Sequence, residues 1–240
     1  MREDGRLAMG IRKIKVKTNY LQHAEGSCLF EIGNTKVVCS ASVEDGVPRF
    51  LKGQGTGWIT SEYSMLPRSC KSRVPRESSR GKQSGRTLEI QRLIGRALRS
   101  VVDMDALDER TIWIDCDVLE ADGGTRCASI TGSFIALCLA LDHMKKQKMI
   151  DRIPVSGFVG AISVGVVNGN NYLDLNYSED SSAEVDMNIV MTESGKFVEV
   201  QGTAEREPFS REQMDELLEL AKKGVEKLIE EQKTALKGIL

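Results

Sequence analysis

The segment from Ile130 to Leu141 leaves the chain few ways to fold. On a helical period, Ile130, Phe134, Ile135, Leu137, Cys138, Leu139 and Leu141 place apolar side chains on nearly every side. A helix without a polar face must be covered all round. In a chain of 240 residues, long enough to bury a real core, such a helix belongs at the centre. No apolar run reaches the ~18 residues of a membrane-spanning helix, so the cover is expected to be protein. Phe134–Leu141 and Phe158–Val167 are core-sized runs.

The cover is legible as strands. Ile14–Val16, Cys28–Ile32 and Lys36–Ser42 are short β-prone runs, with Gly33-Asn34 as a hairpin turn between two of them. Gly53, Gly55 and Gly57 precede Trp58-Ile59-Thr60. No helical pattern follows them, so they form a loop entering a strand and not a dinucleotide fingerprint. Thr111–Leu119 alternates as a strand. Val159–Val167, Tyr172–Tyr177, Glu184–Thr192 and Lys196–Gln201 follow, with hairpin turns at Asn168-Gly169 and Ser194-Gly195. Two further helices are amphipathic. Ile90, Leu93, Ile94, Ala97, Leu98 and Val101 share one face. The last helix opens with a capping box, Ser210 and Gln213, flanked by a Phe209–Met214 staple. Its stripe is Met214, Leu217, Leu218, Ala221, Val225, Leu228 and Ile229. Strands, helix, strand, helix, strands, helix predicts an α+β fold of tandem βαβ-type halves, roughly 1–120 and 121–240, with mixed sheets and helices packed between and against them.

Charge is unevenly spread. The net charge is −2, yet ten basic residues and only two acids lie between Tyr63 and Arg99. A basic segment on an acidic body suits local binding of a polyanion. Within it, residues 67–85 read as a mobile, exposed loop of unusual length. Composition excludes disorder, at 40% apolar and 28% charged residues. Six cysteines without a Cys-x-x-Cys pair, and two histidines, leave no zinc or thioredoxin-like motif. Most of the thiols sit in apolar stretches, as reduced cysteines of a cytoplasmic protein do. The N-terminus carries no apolar signal region.

Two helix starts share a composition. Ser84-Gly85-Arg86-Thr87 and Gly123-Gly124-Thr125-Arg126 each combine glycine, a hydroxyl and arginine. Free backbone N–H groups and the helix dipole favour an anion there, and arginine adds a bidentate fork. The alternative for each is a plain helix start with an exposed arginine. An acidic cluster, Asp174, Glu179, Asp180, Glu184 and Asp186, falls where two strands meet. Asp180 and Asp186 flank a short turn, where paired carboxylates hold a hard cation or act as acid and base. The alternative is a solvated hairpin end. Phosphate-binding arginines, paired carboxylates and a basic surface together describe phosphoryl transfer. They leave open hydrolysis, phosphorolysis and nucleotide transfer.

Longer blocks carry a resemblance. Gly81-Lys82-Gln83-Ser84-Gly85-Arg86-Thr87-Leu88-Glu89-Ile90-Gln91-Arg92-Leu93-Ile94-Gly95-Arg96 and Asp115-Cys116-Asp117-Val118-Leu119-Glu120-Ala121-Asp122-Gly123-Gly124-Thr125-Arg126 resemble signatures of the ribonuclease PH family. So do Lys52–Trp58, Glu179–Asn188 and Gln201–Glu205, in the same order along essentially the whole chain. The resemblance implies a phosphate-dependent 3′→5′ exoribonuclease, a tRNA nucleotidyltransferase that trims tRNA precursor 3′ ends. It releases nucleoside 5′-diphosphates, and the reverse reaction adds nucleotides from diphosphates. It further implies a homo-hexamer, a trimer of dimers, that acts in the cytoplasm on structured RNA 3′ ends with no membrane partner. By resemblance, Arg86, Gly124, Thr125 and Arg126 bind inorganic phosphate as co-substrate. Asp180 and Asp186 are the catalytic and metal-binding carboxylates, for Mg²⁺ or Mn²⁺, with Arg126 catalytic beside them. Arg68, Arg73 and Arg76 serve RNA binding or assembly, and Arg92 and Arg96 shape the site or a subunit contact. Cys70-Lys71-Ser72 and Arg206 depart from the family pattern.

Overall fold

A computed structural model describes residues 2–205 and 207–240; the departure at Arg206 lies outside them. The first sheet holds β1 (Ile14–Thr18), β2 (Gly26–Ile32), β3 (Thr35–Asp45), β4 (Trp58–Met65) and β5 (Arg110–Glu120), in the order β1-β2-β3-β5-β4. It is mixed: β4 runs parallel to β5 and crosses over through α1 (Gly85–Arg99), while the other pairs are antiparallel. The second sheet holds β6 (Val159–Val167), β7 (Asn170–Leu173), β8 (Val185–Thr192) and β9 (Phe197–Ala204), in the order β7-β6-β8-β9, antiparallel throughout. Three more helices complete the chain: α2 (Thr125–Lys146), a single turn α3 (Tyr177–Asp180) and α4 (Arg211–Ala235).

The apolar helix is central for the reason its sequence gives. α2 packs on β2 and β3 of the first sheet and on β6 of the second. Ile130, Phe134, Ile135, Leu137, Cys138 and Leu141 are fully buried. Burial of each large apolar side chain contributes roughly 1.5–3 kcal/mol, so the helix is a major part of the core. It is long and apolar enough by composition to cross a membrane, but 89% of that stretch is buried inside the protein. Close approach needs Gly26, where a Cβ would lie 2.0 Å from the Ala136 carbonyl oxygen. β6, apolar or glycine at every position but Ser163, is buried along its whole length, as a strand covered on both faces should be.

The Ser210–Gln213 capping box forms, and Phe209 and Met214 both pack on the core. Leu218 of the expected stripe is only partly buried, and Gln232 is fully buried instead. Its Nε2 donates to the Thr131 carbonyl at 3.0 Å and to the Val159 carbonyl at 2.9 Å, tying α4 to α2 and β6.

The largest departure from the sequence reading concerns Tyr172–Tyr177. The strand stops at Leu173, because Asp174 adopts φ 55° in the left-handed region and leaves the ladder. Asn176 then caps α3 through a capping box with Glu179. Asp180 therefore ends a helical turn and does not lie in a plain strand-to-strand hairpin. The long basic loop is largely exposed and contains a 3-10 turn at Glu77–Arg80.

Candidate active site

α2 begins at a turn that only glycine accommodates comfortably. Gly123 and Gly124 have φ 75° and 66°. A Cβ on Gly123 would also lie 2.6–2.8 Å from the backbone of Leu175, Asn176 and Tyr177, so this turn rests directly on the entry to α3. Gly124 is the N-cap, and no side chain among the described residues caps the helix. Its first N–H groups and positive dipole end are thus left for an anion. Thr125 is buried, its Oγ1 2.9 Å from the Tyr63 hydroxyl. Arg126 is largely buried and held from two sides. Its Nη1 donates to Glu89 Oε1 at 3.2 Å and to Gln201 Oε1, and Gln201 Nε2 donates to the same Glu89 oxygen at 3.1 Å.

α1 begins differently. Ser84 is its N-cap and accepts from the Thr87 N–H at 3.2 Å. Glu77 Oε1 accepts from the Ser84 N–H at 3.2 Å and from Thr87 Oγ1 at 2.8 Å, closing the basic loop onto the helix end. This end is capped by its own chain, so the two helix starts are not equivalent anion sites. Its arginine nonetheless reaches the second one. Arg86, exposed, lines a cleft of about 660 Å³ together with Gly123, Gly124, Thr125 and Asp180. Cys70 and Lys71, where the sequence departs from the family pattern, also border this cleft.

The acidic cluster separates into parts with different work. Asp174 is buried and paired with Arg12 at 2.6 Å and with Arg6 at 3.1 Å. Glu179 is buried against Arg2. Glu184 accepts from the Gly169 N–H in a hairpin. Asp180 and Asp186 remain as a pair. Burial pushes the Asp180 carboxyl above its usual range, while Arg86 and Arg126 act to lower it. Burial, and then the Asp180 charge, push Asp186 up to about 6. Asn188, one residue pair along β8 on the same face, donates to Asp186 Oδ2 at 3.4 Å. Asp186 Oδ1 is buried with no hydrogen-bond partner among the described residues.

An orphaned buried carboxylate oxygen beside a second carboxylate fits a hard cation. Among the described residues no cluster of three or more His, Cys, Asp or Glu ligands exists. Two carboxylates are a set that Mg²⁺ commonly takes, with its shell completed by water and substrate phosphates.

Other expected site residues lie elsewhere. Arg68, Arg73 and Arg76 are exposed on the loop. Arg76 borders a separate cleft, with Glu62, Asp115 and Asp117, so part of the basic loop faces acids of its own chain. Arg96 pairs with Glu199 of β9 at 2.9 Å, and Arg99 stacks 4.3 Å over the Trp58 ring. Both tie α1 to strands. Tyr63, Glu89, Gln201 and Asn188 were not singled out by sequence reasoning. Glu89, Asn188 and Gln201 stand inside the family-like blocks, but Tyr63 looks like an ordinary strand residue.

Comparisons with known proteins place the chain in a family. The profile of the 3′ exoribonuclease family, domain 1, matches residues 10–141, and that of domain 2 matches residues 157–224. Ribonuclease PH of Bacillus mycoides (strain KBAB4) is 56% identical over 241 aligned positions, covering 100% of this chain and 98% of the relative. Ribonuclease PH of Bacillus cereus (strain G9842) matches to the same extent. Among solved structures, rice Rrp46 superposes with a TM-score of 0.80 at 18% identity, over 98% of this chain and 100% of that one. A chain of the Archaeoglobus fulgidus exosome with RNA bound to the active site gives 0.79 at 22% identity, over 96% and 92%. These two likenesses speak for the fold alone. With the profiles spanning most of its length and relatives at 56% identity end to end, the chain belongs to the 3′ exoribonuclease family, as a phosphorolytic 3′→5′ exoribonuclease of the ribonuclease PH type.

Proposed function

We propose that the chain trims the 3′ ends of tRNA precursors by placing inorganic phosphate at the start of α2, opposite the carboxylate pair. The observation that carries this reading is the uncapped Gly124 turn, sharing one cleft with Arg86 and Asp180. Backbone N–H groups at Thr125 and the guanidinium groups of Arg86 and Arg126 orient the phosphate in line with the last phosphodiester. Arg126, fixed by Glu89 and Gln201, holds its charge where negative charge develops, without reorganising during the reaction. Phosphate oxygen attacks the terminal phosphorus, the bond to the shortened RNA 3′-oxygen breaks, and a nucleoside 5′-diphosphate leaves. Asp180 and Asp186 would hold Mg²⁺ or Mn²⁺, which when bound offsets charge on the transferring phosphoryl group. No covalent intermediate is required, since the co-substrate is itself the nucleophile.

A product assay tests this. Tagged by extra 3′ nucleotides, a tRNA is incubated with the protein and Mg²⁺, with and without inorganic phosphate. Diphosphates released only with phosphate are expected. Monophosphates released without it would mean hydrolysis.

The exposed arginines Arg68, Arg73 and Arg76 support assembly into a homo-hexamer or a grip on RNA beyond the cleft. Their joint replacement by alanine is expected to lower the mass seen by sizing in solution. An unchanged hexamer with unchanged RNA affinity would remove both roles. Five buried, unpaired thiols support a reducing, cytoplasmic setting.

A further inference from the structure

The phosphate turn and the carboxylate pair come from different parts of the chain, yet phosphoryl transfer needs them in fixed relation. What joins them is the polar N-terminal segment, residues 2–12. Arg12 sits at the junction, its side chain 6% exposed. On one side it grips Asp174: its Nε donates to Oδ2 at 2.9 Å, its Nη2 to Oδ1 at 2.6 Å, and its backbone N–H to Oδ2 at 2.8 Å. On the other side its Nη1 donates to the Asp122 carbonyl and its Nη2 to the Gly123 carbonyl. One planar fork therefore binds the phosphate turn and the residue that turns the chain into α3, which ends on Asp180.

Arg2 and Arg6 anchor the α3 side of this bridge, and one further contact, from Asp122, spans it. Arg2 donates to Glu179 Oε1 at 2.6 Å and to the Leu173 carbonyl at 2.6 Å. Arg6 donates to the Asp174 carbonyl at 2.9 Å. Asp122 Oδ1 accepts from the Tyr177 N–H at 3.3 Å. Buried ion pairs of this kind are weak sources of stability, because desolvation offsets attraction. Their effect is geometric, and a bidentate guanidinium fixes angle as well as distance.

We infer that Arg12 is a positioning residue for the reaction, setting the phosphate turn against the Asp180–Asp186 pair from outside the cleft. The inference rests on the phosphate and carboxylate roles proposed above. Arg12→Lys keeps the charge and loses the fork. It should raise the phosphate KM and weaken Mg²⁺ binding each by roughly 10–100-fold, the size typical of lost outer-shell support. The KM for RNA should stay within about twofold. Mg²⁺ binding is read by calorimetry on the full chain without RNA, so it does not depend on activity.

Unchanged phosphate KM and unchanged Mg²⁺ affinity, with only a lower Tm, would make Arg12 a structural strut and overturn the inference. A parallel rise in RNA KM would mean general damage and would also overturn it. Should Arg12→Lys not fold, the pair Arg12→Gln with Asp174→Asn removes both buried charges together and faces the same two readouts. Wild-type protein is assayed alongside. Monophosphate release without phosphate by the wild type would sink the phosphate reading, and the Mg²⁺ comparison would still decide Arg12.

Discussion

The starts of α1 and α2 contain nearly the same residues and do different things. At α1 the helix end is closed by Ser84, and Glu77 reaches across the loop to hold Ser84 and Thr87. Arg86 is left exposed on that closed end. At α2 the cap is Gly124, which has no side chain to offer, and the arginine is fixed by Glu89 and Gln201. Glycine, hydroxyl and arginine near a helix start do not by themselves make an anion site. The N–H groups must be free, and free N–H groups follow from which residue occupies the N-cap.

Four experiments press on this difference. The largest effect is expected where both helix starts depend on the same partner. Asp180→Asn should reduce turnover by roughly 10³-fold or more, since on the proposed reading it removes one of the two carboxylates that would hold the metal, while tRNA binding by filter or fluorescence assay stays near wild type. Surviving activity would make Asp180 structural and leave the α2 start without its counterpart.

Next come the two arginines. Arg126→Ala should lower kcat/KM for phosphate by about 200–5,000-fold, in keeping with about 3–5 kcal/mol for a desolvated charge partner. Arg86→Ala should cost about an order of magnitude less, because a side chain not already held gives up more freedom on binding. Equal losses in steady-state phosphate titrations would erase the distinction between a fixed and a free arginine.

The carboxylate pair then makes the site pH-dependent. Burial and the Asp180 charge push Asp186 up to about 6 in the folded chain, above its unfolded range near 4. Between those values the folded protein keeps a proton that the unfolded chain releases. Metal-free stability therefore falls as pH rises through that window. Mg²⁺ competes with the same proton, so its affinity should strengthen about tenfold per pH unit on approaching pH 6 from below, and level off above it. Calorimetric titrations at pH 5, 6 and 7.5 check this; a flat profile would mean that Asp186 does not ligate.

The smallest pair of effects is the most direct comparison. Gly124→Ala strains a residue at φ 66° and should raise the phosphate KM by up to about tenfold, with a stability cost of about 1–2 kcal/mol. Ser84→Ala should cost about 1 kcal/mol through its lost cap and leave the phosphate KM unchanged. A KM shift for Ser84→Ala, and none for Gly124→Ala, would place the anion at the wrong helix.

Much of this molecule is legible along the chain, because local rules acted alone there. The Asn168-Gly169 turn takes left-handed backbone at both residues, φ 50° and 70°, as a tight hairpin requires. The Ser210 capping box and the all-round apolar α2 follow from residues at fixed spacing. The acidic cluster was harder. Spacing sets Asp180 and Asp186 apart as a pair flanking a short turn but leaves Asp174, Glu179 and Glu184 without a role. Arg2, Arg6 and Arg12, more than 160 positions away along the chain, take Asp174 and Glu179 as partners. That pairing separates Asp174 and Glu179, as structural acids, from the Asp180–Asp186 pair.

Local sequence is enough for the central helix, the two strand-rich regions around it, the glycine turn that starts α2 and the Asp180–Asp186 pair across its short turn. Each follows from neighbours a few residues apart, through periodicity, capping or backbone permission. Only the three-dimensional arrangement brings Arg86 into one cleft with the Gly124 turn, holds Arg126 with Glu89 and Gln201, and lets Arg12 span the two parts of the site. Those outcomes depend on side chains brought together from distant positions, and hydrogen bonding and charge pairing between such groups act through space, where spacing along the chain carries no record of them.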